Sequence, residues 1–513
     1  MNPGRFVNGE FVLTDSRRKG MNFRFAPEPS GALHIGHVKN FRTNFNCAAE
    51  NGGKMILRFD DTNPETSCSL YCRDAKKMLQ WLGYDHSAVK TTFTSNYFAM
   101  LLSHARRMVW KGLAYVCHLD IAEATMESPW RDRSVEKNIR EFEKMVSGVY
   151  NEGDAVLRLK YRDKYIKDPV AYRVKVSKHF RTGNKWKVYP TYDFSNSIVD
   201  YIENIAVSIC TTEFAHRRPL YNWIQEKLDI PPVPQQEQPR LVLKNVILSK
   251  RKLNRLLGKH GLHGMDDPRL ATLAGLRSRG IPPKAIEKFL AQGFRDFAQL
   301  LNITRKELAR VPTEFCKMVL NPIYCLVENY SEVASSDEDS QEPPIMPFFY
   351  ISGCDFDDDD ILGDVSPHTL SPKRPAKLFQ LPYMAAVKKV ERQEGIIRAL
   401  TVTLTPSKKD SGLKPLIWVH KHTRATLAYA DHRFKGDDPV PAPIRYADVY
   451  LDKGIISSTK LGRNFVYGQT FLALNIGYVT VSRMSVKKDI LYIVTCFLGH
   501  KRDHLNNILK CFW

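Results

Sequence analysis

A strand, a turn and a helix near the amino terminus constrain this chain more than any other part of its sequence. Residues 21–26 alternate apolar and polar side chains, as a short strand does. Two prolines and a glycine follow, and apolar residues then recur at helical spacing from about residue 34 to residue 49. Asn51-Gly52-Gly53 ends the helix, and residues 54–59 are predicted to form a second strand. This order predicts a nucleotide-binding βαβ unit whose ligand lies beyond the carboxyl ends of the strands.

The turn before this helix carries residues that suit phosphate chemistry. The first backbone N–H groups of a helix have a partial positive charge that favours phosphate. His34 and His37 can donate hydrogen bonds to the charge that develops on a phosphoryl oxygen in a transition state. Gly36 leaves room for a ring or a ribose against the backbone. Two exposed histidines in a surface loop would give the same short motif, so an independent signal is needed.

An independent signal lies at residues 246–253. A strand-like apolar run is followed at once by Ser249 and by three cations, Lys250, Arg251 and Lys252. A mobile loop with a lysine can close over phosphates as negative charge builds up on them. Alone, this run would indicate a solvated basic stretch. Together with the two histidines, it favours a nucleotide site built from both segments.

The composition favours a globular protein that binds nucleic acid. A chain of 513 residues, of which 43% are apolar and 26% charged, is expected to fold into several domains with sizeable cores. Its formal charge of +21 makes nucleic acid the natural partner. The sequence has no apolar run that could span a bilayer, no secretory signal and no CxxC pair among its ten cysteines. We therefore expect a cytoplasmic protein with no membrane partner and no protein-bound zinc.

The sequence pattern divides the chain into six parts. Residues 331–344 are acidic and serine-rich and are predicted to form a linker, and the short alternating runs after residue 376 are typical of β-barrels. The predicted parts are a loose basic lead-in at 1–20, the first half of the nucleotide fold at 21–116, a basic insertion at 117–188, the second half of the nucleotide fold at 189–249, a helical connector at 250–330 and the barrel region at 331–513.

Helical spacing also predicts individual helices and the faces that they bury. Helices are expected over residues 97–110, 220–228 and 282–292, and the last of these begins with prolines, as a first helical turn often does. In the helix over 97–110, the side chains expected to face inward are Met100, Leu101, Ala105 and Met108.

Together the two motifs resemble the HIGH and KMSKS pair of class I aminoacyl-tRNA synthetases, with Leu248 where methionine is usual. Within that class, residues 21–328 resemble the glutamyl and glutaminyl family. The glutaminyl branch fits best because of residues 128–133, Cys210 and Arg217-Arg218. The segments that carry the family resemblance are 58–65, 114–118, 128–133, 168–173, 189–194, 210–214 and 266–269.

The resemblance implies a fold and a reaction. The implied fold is α/β: a Rossmann-like doubly wound catalytic domain, an inserted domain that binds the acceptor end of tRNA, a helical connector and C-terminal β-barrels that bind the anticodon. In the implied reaction, the carboxylate of glutamine attacks the α-phosphate of ATP, and the acyl group of the adenylate then passes to the 2′-hydroxyl of the terminal adenosine of tRNA. Such chemistry needs positioning and charge stabilisation rather than a protein nucleophile. The implied partners are tRNA, L-glutamine and ATP, with Mg²⁺ accompanying ATP, and a monomer is expected.

The resemblance also implies roles for residues of this sequence. The implied catalytic residues are His34, His37, Ser249 and Lys250. The residues implied at ATP are Glu28, Pro29, Ser30, His34, Ile35, Gly36, His37, Val38, Lys39, Asn40, Thr211, Arg240, Leu241, Leu248, Ser249 and Lys250. Those implied at glutamine are Arg24, Asp60, Tyr192, Cys210 and Gln235, and Asp60 would pair with the ammonium group. Those expected to contact tRNA phosphates are Arg131, Arg133, Arg158, Lys160 and Arg173.

The choice of glutamine depends on Cys210. In glutamyl relatives, an arginine at this position can pair with the substrate carboxylate. A neutral cysteine has no such charge, so it favours the neutral carboxamide of glutamine. A small buried thiol, with specificity set elsewhere, is the other interpretation. Three residues depart from the family pattern at the ATP site and the pocket wall, namely Ser30, Asn196 and Ser197.

Three other functions remain open. A glutamyl-tRNA synthetase of the archaeal or eukaryotic type would differ only in its substrate. A small-molecule nucleotidyltransferase can share the histidine turn, but it does not need the insertion, the connector or the barrels. A catalytically silent tRNA-binding protein would keep the basic surface, but it would be expected to lose His34, His37 or Lys250, and this sequence has all three.

Overall fold

A computed structural model of the protein describes most of the chain as two compact units. The first unit comprises Met1–Lys244, Leu248–Asn254 and Leu290–Arg295, and the second comprises Asn245–Ile247, Arg255–Phe289 and Asp296–Trp513. The described residues are 3–7, 10–119, 128–244, 246–249, 252–253, 255, 264–293, 296–310, 315–335, 346–358, 369–407, 415–429, 434–435, 440–441, 445–452, 470–474, 476–481 and 491–498.

The first unit combines parallel strands, helices and an inserted antiparallel sheet. Its described strands are β1 (Gly4–Val7), β2 (Glu10–Leu13), β3 (Phe23–Phe25), β4 (Met55–Phe59), β5 (Val89–Phe93), β6 (Ala114–Cys117), β7 (Val156–Leu159), β8 (Val170–Val174), β9 (Val188–Pro190), β10 (Ser208–Thr211) and β11 (Gln235–Gln238). Its α-helices are α1 (Ile35–Glu50), α2 (Ser69–Trp81), α3 (Phe98–Trp110), α4 (Val135–Ser147), α5 (Tyr192–Ile202) and α6 (Arg218–Lys227).

The parallel strands form the predicted nucleotide fold. β3, β4 and β5 lie side by side in that order, with Phe23 opposite Met55. β10 and β11 are also parallel, and a parallel bridge from Asn22 to Ile205 joins the chain before β10 to the chain before β3. Every residue of β4 is buried, as expected for a parallel strand that is covered on both faces. The predicted order of strand, turn, helix and strand is therefore confirmed.

The insertion forms an antiparallel sheet in the order β6-β7-β8-β9, in which Tyr115 pairs with Arg158. α4 contacts β6, and its first turn is capped by Ser134, whose hydroxyl accepts the Lys137 N–H. Apolar side chains of this sheet and of α3, α4, α5 and α6 form one hydrophobic cluster. Because β9 leads directly into α5, the insertion is anchored to the second half of the nucleotide fold.

Residues 3–7 and 10–20 are more ordered than the predicted loose lead-in. β1 and β2 form a hairpin that buries Phe11 against α1, where the Cys47 thiol donates to the Phe11 carbonyl. Arg18 reaches across to the second half of the fold and donates to the Ala206 carbonyl at 2.9 Å. The expectation of a loose segment was wrong because one buried aromatic ring and one arginine are enough to hold a short hairpin in place.

The inward face of α3 differs from its prediction at one residue. Met100 is 48% exposed, whereas Leu101, Ala105 and Met108 are buried as expected. The buried stripe extends in the other direction, to Leu102 and Val109. Consecutive residues of a helix are about 100° apart around its axis. Met100 therefore lies outside the buried stripe, which includes Leu102 and Val109 instead.

A buried charge cluster joins the strands of the nucleotide fold to α5. Asp200 accepts hydrogen bonds from Arg24 on β3 and from Arg58 on β4, at 3.1 Å and 2.5 Å. Arg58 also donates to Glu203 at 2.9 Å. The Tyr221 hydroxyl from α6 donates to Asp200 at 3.0 Å. One carboxylate therefore ties two strands and two helices together.

The two arginines decide the protonation of Asp200. Burial alone would raise its pKa, but Arg24 and Arg58 outweigh burial and hold the pKa well below its usual value. Burial likewise lowers the pKa of Arg24, and Asp200 more than restores it. The cluster is therefore fully charged at neutral pH, and each charge depends on its partners.

The second unit combines short helices with two larger sheets and a two-stranded sheet formed by Phe434–Lys435 and Val440–Pro441. Its α-helices are α7 (Leu273–Ser278), α8 (Pro283–Ala291), α9 (Phe297–Leu308) and α10 (Tyr330–Ser335). Its described strands are β12 (Phe315–Cys316), β13 (Met318–Leu320), β14 (Pro322–Val327), β15 (Phe348–Ser352), β16 (Ala376–Lys377), β17 (Tyr383–Gln393), β18 (Ile396–Pro406), β19 (Trp418–Val419), β20 (His422–Tyr429), β21 (Phe434–Lys435), β22 (Val440–Pro441), β23 (Arg445–Asp452), β24 (Thr470–Ala473), β25 (Gly477–Val481) and β26 (Leu491–Leu498).

The two larger sheets of the second unit differ from two expectations for the chain after α9. The strand orders are β12-β24-β25-β26-β20-β23-β13 and β16-β17-β18-β14-β15-β19, so β12, β13 and β14 belong to sheets although they precede residue 330. The helical part of the predicted connector therefore ends earlier, because these apolar runs pair with later strands. The predicted linker also begins within a helix, α10. That the sheets close into barrels stays a prediction.

Replacing Asp200 with asparagine is expected to lower the free energy of unfolding of the first unit by about 3–5 kcal/mol, because two buried guanidinium groups lose their shared countercharge. The measurement is urea-induced unfolding. Asp229→Asn is the matched control, because Asp229 also pairs with two cations, Arg107 and Lys111, but on the surface. Equal losses of stability in the two variants would contradict the role given to the cluster.

Candidate active site

A cavity of about 670 Å³ lies beyond the carboxyl ends of β3, β4, β10 and β11. This is the edge at which a parallel nucleotide fold is expected to bind its ligand. The predicted residues that line it are Arg24, Glu28, His34, Gly36, His37, Lys39, Asn40, Asp60, Arg173, Tyr192, Cys210, Thr211, Arg240 and Leu241. Residues assigned from sequence to ATP and to glutamine thus meet in one place, together with one residue assigned to tRNA.

His34 and His37 form a reciprocal cap at the beginning of α1. The Gly36 N–H donates to Nδ1 of His34, and the His34 N–H donates to Nδ1 of His37, both at 3.1 Å. The two rings stack with their centroids 3.7 Å apart. An imidazole nitrogen thus does here what a serine or aspartate oxygen does at most helix starts. Two backbone N–H groups expected to be open to phosphate are therefore already used by the histidines.

These hydrogen bonds decide where the imidazole protons lie. Because Nδ1 of each ring accepts an N–H, the proton of each neutral ring is assigned to Nε2. Burial holds the pKa of His34 well below its usual value, and His37 and Arg240 lower it further. The ring of His34 is therefore neutral at pH 7. What it can offer to a phosphate is an Nε2–H donor rather than a positive charge.

Gly36 lies close to the ring of His34 and near Leu248 of the second motif. A Cβ at this position would stand 3.0 Å from Cε1 of His34 and 4.0 Å from Cδ1 of Leu248. The glycine therefore lets the imidazole fold back over the helix start, and it lies against the residue that precedes Ser249. Lys250 is outside the described residues. The catalytic assignments of Ser249 and Lys250 stay predictions.

Asp60 follows β4 and lines the cavity, although it is only 7% exposed. Its N–H donates to the Pro27 carbonyl at 3.0 Å. Its Oδ1 atom is buried and has no hydrogen-bond partner within the described ranges. Burial raises the pKa of Asp60 to about 6, and Arg58 opposes that rise. The carboxylate is mainly ionised at pH 7, and a buried oxygen without a partner suits a cationic ligand group.

Neutral groups dominate the wall formed by β10 and α5. Burial raises the pKa of the Cys210 thiol to about 11, so the thiol keeps its proton at pH 7. Burial also raises the pKa of the Tyr192 hydroxyl. Both side chains can therefore meet an uncharged polar group by hydrogen bonding, but neither can neutralise a carboxylate.

On β11, the cavity is lined by a different glutamine from the predicted one. Gln235 pairs with Ser208 and does not line the cavity. Gln238 lines it and donates to the Thr43 hydroxyl at 2.7 Å. Because alternate residues of a strand face opposite sides, glutamines three positions apart face different ways. The Gln-Gln-Glu-Gln run does not reveal which of them faces the ligand.

Four of the five cationic residues that line the cavity hydrogen-bond to protein oxygens. The donor–acceptor distances are 3.1 Å from Arg24 to Asp200, 2.6 Å from Arg217 to Asp193, 2.9 Å from Arg240 to Glu213 and 2.8 Å from Lys39 to the Pro239 carbonyl. Arg173 differs, because its Nε is buried without a hydrogen-bond partner in the part of the chain that the structure describes. Arg24, assigned to glutamine, thus has a structural task as well.

Other residues assigned to tRNA lie in the insertion, away from the cavity. Nε of Arg131 is 3.0 Å from the Asp168 carboxylate, and Arg158 donates to the Asp168 carbonyl at 2.9 Å. Asp168 has a left-handed backbone with φ of 42°, so these arginines hold a strained turn. Arg133 and Lys160 do not line the cavity either.

Several residues assigned to ATP stand behind the cavity wall. Ile35 and Val38 are buried in the core beneath α1, so any contact with a ligand would use their backbone. Ser30 is also buried, and neither it nor Pro29 lines the cavity. Leu248 and Ser249 likewise lie outside the lining.

Sequence reasoning missed the residue on which the site is built. Asp200 lies between apolar residues of α5, and an acidic residue on the buried face of a helix is the signal that could have revealed it. It also missed Asp193 and Glu213, which pair with two cavity arginines. Their importance depends on contacts between distant parts of the chain.

The described part of the chain lacks two kinds of feature. That part contains no group of three or more His, Cys, Asp or Glu side chains that could hold a metal ion. It also contains no helix that is long and apolar enough to cross a bilayer.

Replacing His34 with alanine is expected to lower the free energy of unfolding of the first unit by about 1 kcal/mol, because α1 loses its capping acceptor. His34→Asn is the matched control, since asparagine is a favourable cap and should retain most of this stability. Thermal and urea-induced unfolding measure the difference. Equal destabilisation by alanine and asparagine would count against the capping role.

The chain is similar to one family model and to several known proteins. The family model "tRNA synthetases class I (E and Q), catalytic domain" matches residues 21–314. A probable glutamine–tRNA ligase of Caenorhabditis elegans is 35% identical over 510 residues, which cover 93% of this chain and 64% of that protein. A glutamine–tRNA ligase of Vibrio cholerae is 40% identical over 342 residues, covering 62% of this chain and 61% of that protein.

A third relative is matched over most of both chains. The glutamine–tRNA ligase of Clostridium kluyveri is 33% identical over 490 residues, which cover 86% of this chain and 86% of that protein. The chain spans less than two thirds of the length of the worm and Vibrio relatives. The family model covers more than half of the chain, including both motifs and the residues that line the cavity. This chain therefore belongs to the glutamyl and glutaminyl family of class I tRNA synthetases.

Proposed function

We propose that this chain ligates L-glutamine to its cognate tRNA at the expense of ATP, through a glutaminyl-adenylate. The observation that carries the proposal is that one cavity is lined by the His34 and His37 pair, by Asp60, which has an oxygen without a described partner, and by neutral Cys210. The two imidazoles suit phosphates. The Asp60 oxygen suits an ammonium group, and the neutral Cys210 suits a carboxamide. The printed names of the relatives support the same activity.

In the first step, a carboxylate oxygen of glutamine attacks the α-phosphorus of ATP. The bond to the bridging oxygen of pyrophosphate breaks, and pyrophosphate leaves with the electron pair. His34 and His37 donate from Nε2 to phosphate oxygens as their charge increases, and Ser249 with Lys250 closes over them. Loss of one such donor slows a reaction by on the order of 10²-fold, so both His34→Ala and His34→Asn should slow adenylate formation to that extent.

In the second step, the 2′-hydroxyl of the terminal adenosine attacks the carbonyl carbon of the adenylate. The hydroxyl proton is lost, AMP leaves, and the amino acid becomes esterified to tRNA. Arg173 lies on β8 of the insertion and lines the cavity, and its Nε is buried without a described partner. We assign Arg173 to a phosphate near the 3′ end of tRNA, because the negative charge of the phosphate can pair with the guanidinium group.

Glutamine fits the cavity better than glutamate does. The carboxylate of a glutamate side chain would need a cation to offset its loss of water. Cys210 is neutral, and two of the arginines that line the cavity, Arg24 and Arg217, already share their charge with Asp200 and Asp193. The carboxamide of glutamine needs only hydrogen bonds, and Tyr192 can supply one. Sites that depend on such bonds discriminate by up to roughly 10⁴–10⁵-fold.

The same proposal includes the metal ion, the cellular location, the oligomeric state and the parts that bind tRNA. Mg²⁺ would arrive with ATP, held through the phosphate oxygens. The protein would act as a cytoplasmic monomer, with the insertion at the acceptor end of tRNA and the sheets of the second unit at the anticodon. The limits expected from sequence for the two halves of the nucleotide fold, 21–116 and 189–249, and for the insertion, 117–188, form part of this proposal.

The wild-type protein is expected to charge glutamine far better than glutamate, and Cys210→Arg should narrow that gap, because the new cation can pair with a glutamate carboxylate. The measurement is kcat/KM for each amino acid with bulk tRNA. Cys210→Ser is the control, since it stays small and neutral and should keep the preference.

Arg173→Met separates the two candidate functions. If Arg173 meets a tRNA phosphate, the variant raises KM for tRNA and leaves the amino-acid preference unchanged. If the wild-type protein prefers glutamate, and Arg173→Met removes that preference, Arg173 reads the substrate carboxylate and the chain is a glutamyl-tRNA synthetase.

A further inference from the structure

A tight turn of the insertion, residues 179–183, reaches the carboxyl end of β4. The backbone groups of His179 and Gly183 exchange hydrogen bonds of 3.1 Å and 2.9 Å, which close the turn. Nδ1 of His179 accepts the N–H groups of Arg181 and Thr182 at 3.1 Å and 3.2 Å. The imidazole is fully buried and thus organises the turn from inside.

The other nitrogen of this imidazole binds the residue after Asp60. Because Nδ1 accepts two N–H groups, Nε2 carries the ring proton, and it donates to the Asp61 carbonyl at 2.9 Å. The same Nε2 is 3.5 Å from the Asp61 carboxylate. The insertion therefore fixes both the backbone and the side chain of Asp61.

A second connection runs through the short helical turn Thr94–Tyr97. The Asp61 carboxylate accepts the N–H and the hydroxyl of Ser95, at 2.8 Å and 2.6 Å. The neighbouring Thr94 lies close enough to the carboxylate of Asp60 to lower its pKa. One segment thus holds both aspartates in place.

Arg181 binds the helical turn Thr94–Tyr97 and holds it in place. Its Nη1 donates to the Ser95 hydroxyl at 2.6 Å and to the Asn96 amide oxygen at 2.7 Å. Its guanidinium lies 3.8 Å from the ring centroid of Phe93, the last residue of β5. Neither Arg181 nor His179 lines the cavity.

We propose that His179 and Arg181 are positioning residues of the amino-acid site, which hold Asp60 at the place where it meets the substrate ammonium group. This inference rests on the proposed function. Oδ1 of Asp60 has no described partner of its own, so its direction depends on the Asp60 backbone, which is bonded to Pro27 and continues into Asp61, and on the nearby Thr94. The turn of the insertion contacts Asp61 directly, and through Arg181 it contacts Ser95 and Asn96, the residues that follow Thr94. The His34 and His37 end of the cavity does not share these contacts.

The test is the steady-state kinetics of Arg181→Met in the full chain with tRNA, varying glutamine and ATP separately. Displacing a binding group by a fraction of an ångström costs about tenfold or more, so KM for glutamine should rise about tenfold. KM for ATP and kcat at saturating glutamine should change less than about twofold. A merely structural role would lower the active fraction, and hence kcat, with both KM values unchanged, and that outcome would overturn the proposal.

Three further variants serve as controls for this result. Arg106→Met is the matched control, because it removes an arginine that pairs with Glu143 on the surface, and it should change neither KM. His179→Gln keeps a donor for the Asp61 carbonyl and should raise KM for glutamine less than His179→Leu does. If glutamine and leucine at position 179 raise it equally while both proteins fold, the role given to His179 is wrong.

The same kinetic measurements distinguish failure of the positioning role of His179 and Arg181 from failure of the proposed function. If the wild-type protein charges glutamate instead, the same comparison is made with glutamate, since Asp60 would meet the ammonium group common to both substrates. Normal charging with an unchanged amino-acid KM in Arg181→Met overturns this inference alone. A wild-type protein that charges neither amino acid overturns the proposed function and this inference together.

Discussion

Two arginines on neighbouring strands share one buried aspartate, and the site depends on that arrangement. Arg24 and Arg58 come from β3 and β4, and Asp200 comes from α5. Removing water from three charges costs several kcal/mol for each ion, and only mutual pairing offsets the cost. The cluster therefore specifies which helix lies across which strands. Because Asp60 follows Arg58 by two residues and Tyr192 begins α5, the amino-acid end of the cavity is assembled by the same contacts.

The helix start at the other end of the cavity shows how one residue can serve structure and chemistry together. The Nδ1 atoms of His34 and His37 cap the backbone, which leaves Nε2 of each ring as the assigned carrier of the proton. Capping thus fixes the tautomer and the direction of each ring before any ligand arrives. A donor held in this way needs little reorganisation in the transition state. Gly36 permits the arrangement by leaving space for the ring of His34.

Local patterns predicted much of the fold, and contacts between distant residues account for what they missed. The βαβ unit and the two motifs could be predicted because spacing and turn residues are local signals. Asp200 is 176 residues from Arg24, so its role could not be derived from any window of the sequence. The hairpin at β1 and β2 depends likewise on burial of Phe11 against α1. In the candidate site, residue types were predictable, but the side of β11 that faces the cavity was not.

The central claim is that one cavity joins glutamine, rather than glutamate, to tRNA. The most direct measurement incubates the full chain with bulk tRNA, ATP and equal amounts of isotopically distinct glutamine and glutamate, and then identifies the aminoacyl-adenosine released from the 3′ end by mass spectrometry. The account predicts glutaminyl-adenosine in large excess, and its loss when His34 is replaced. An excess of glutamyl-adenosine, or no aminoacyl-adenosine at all, would contradict it.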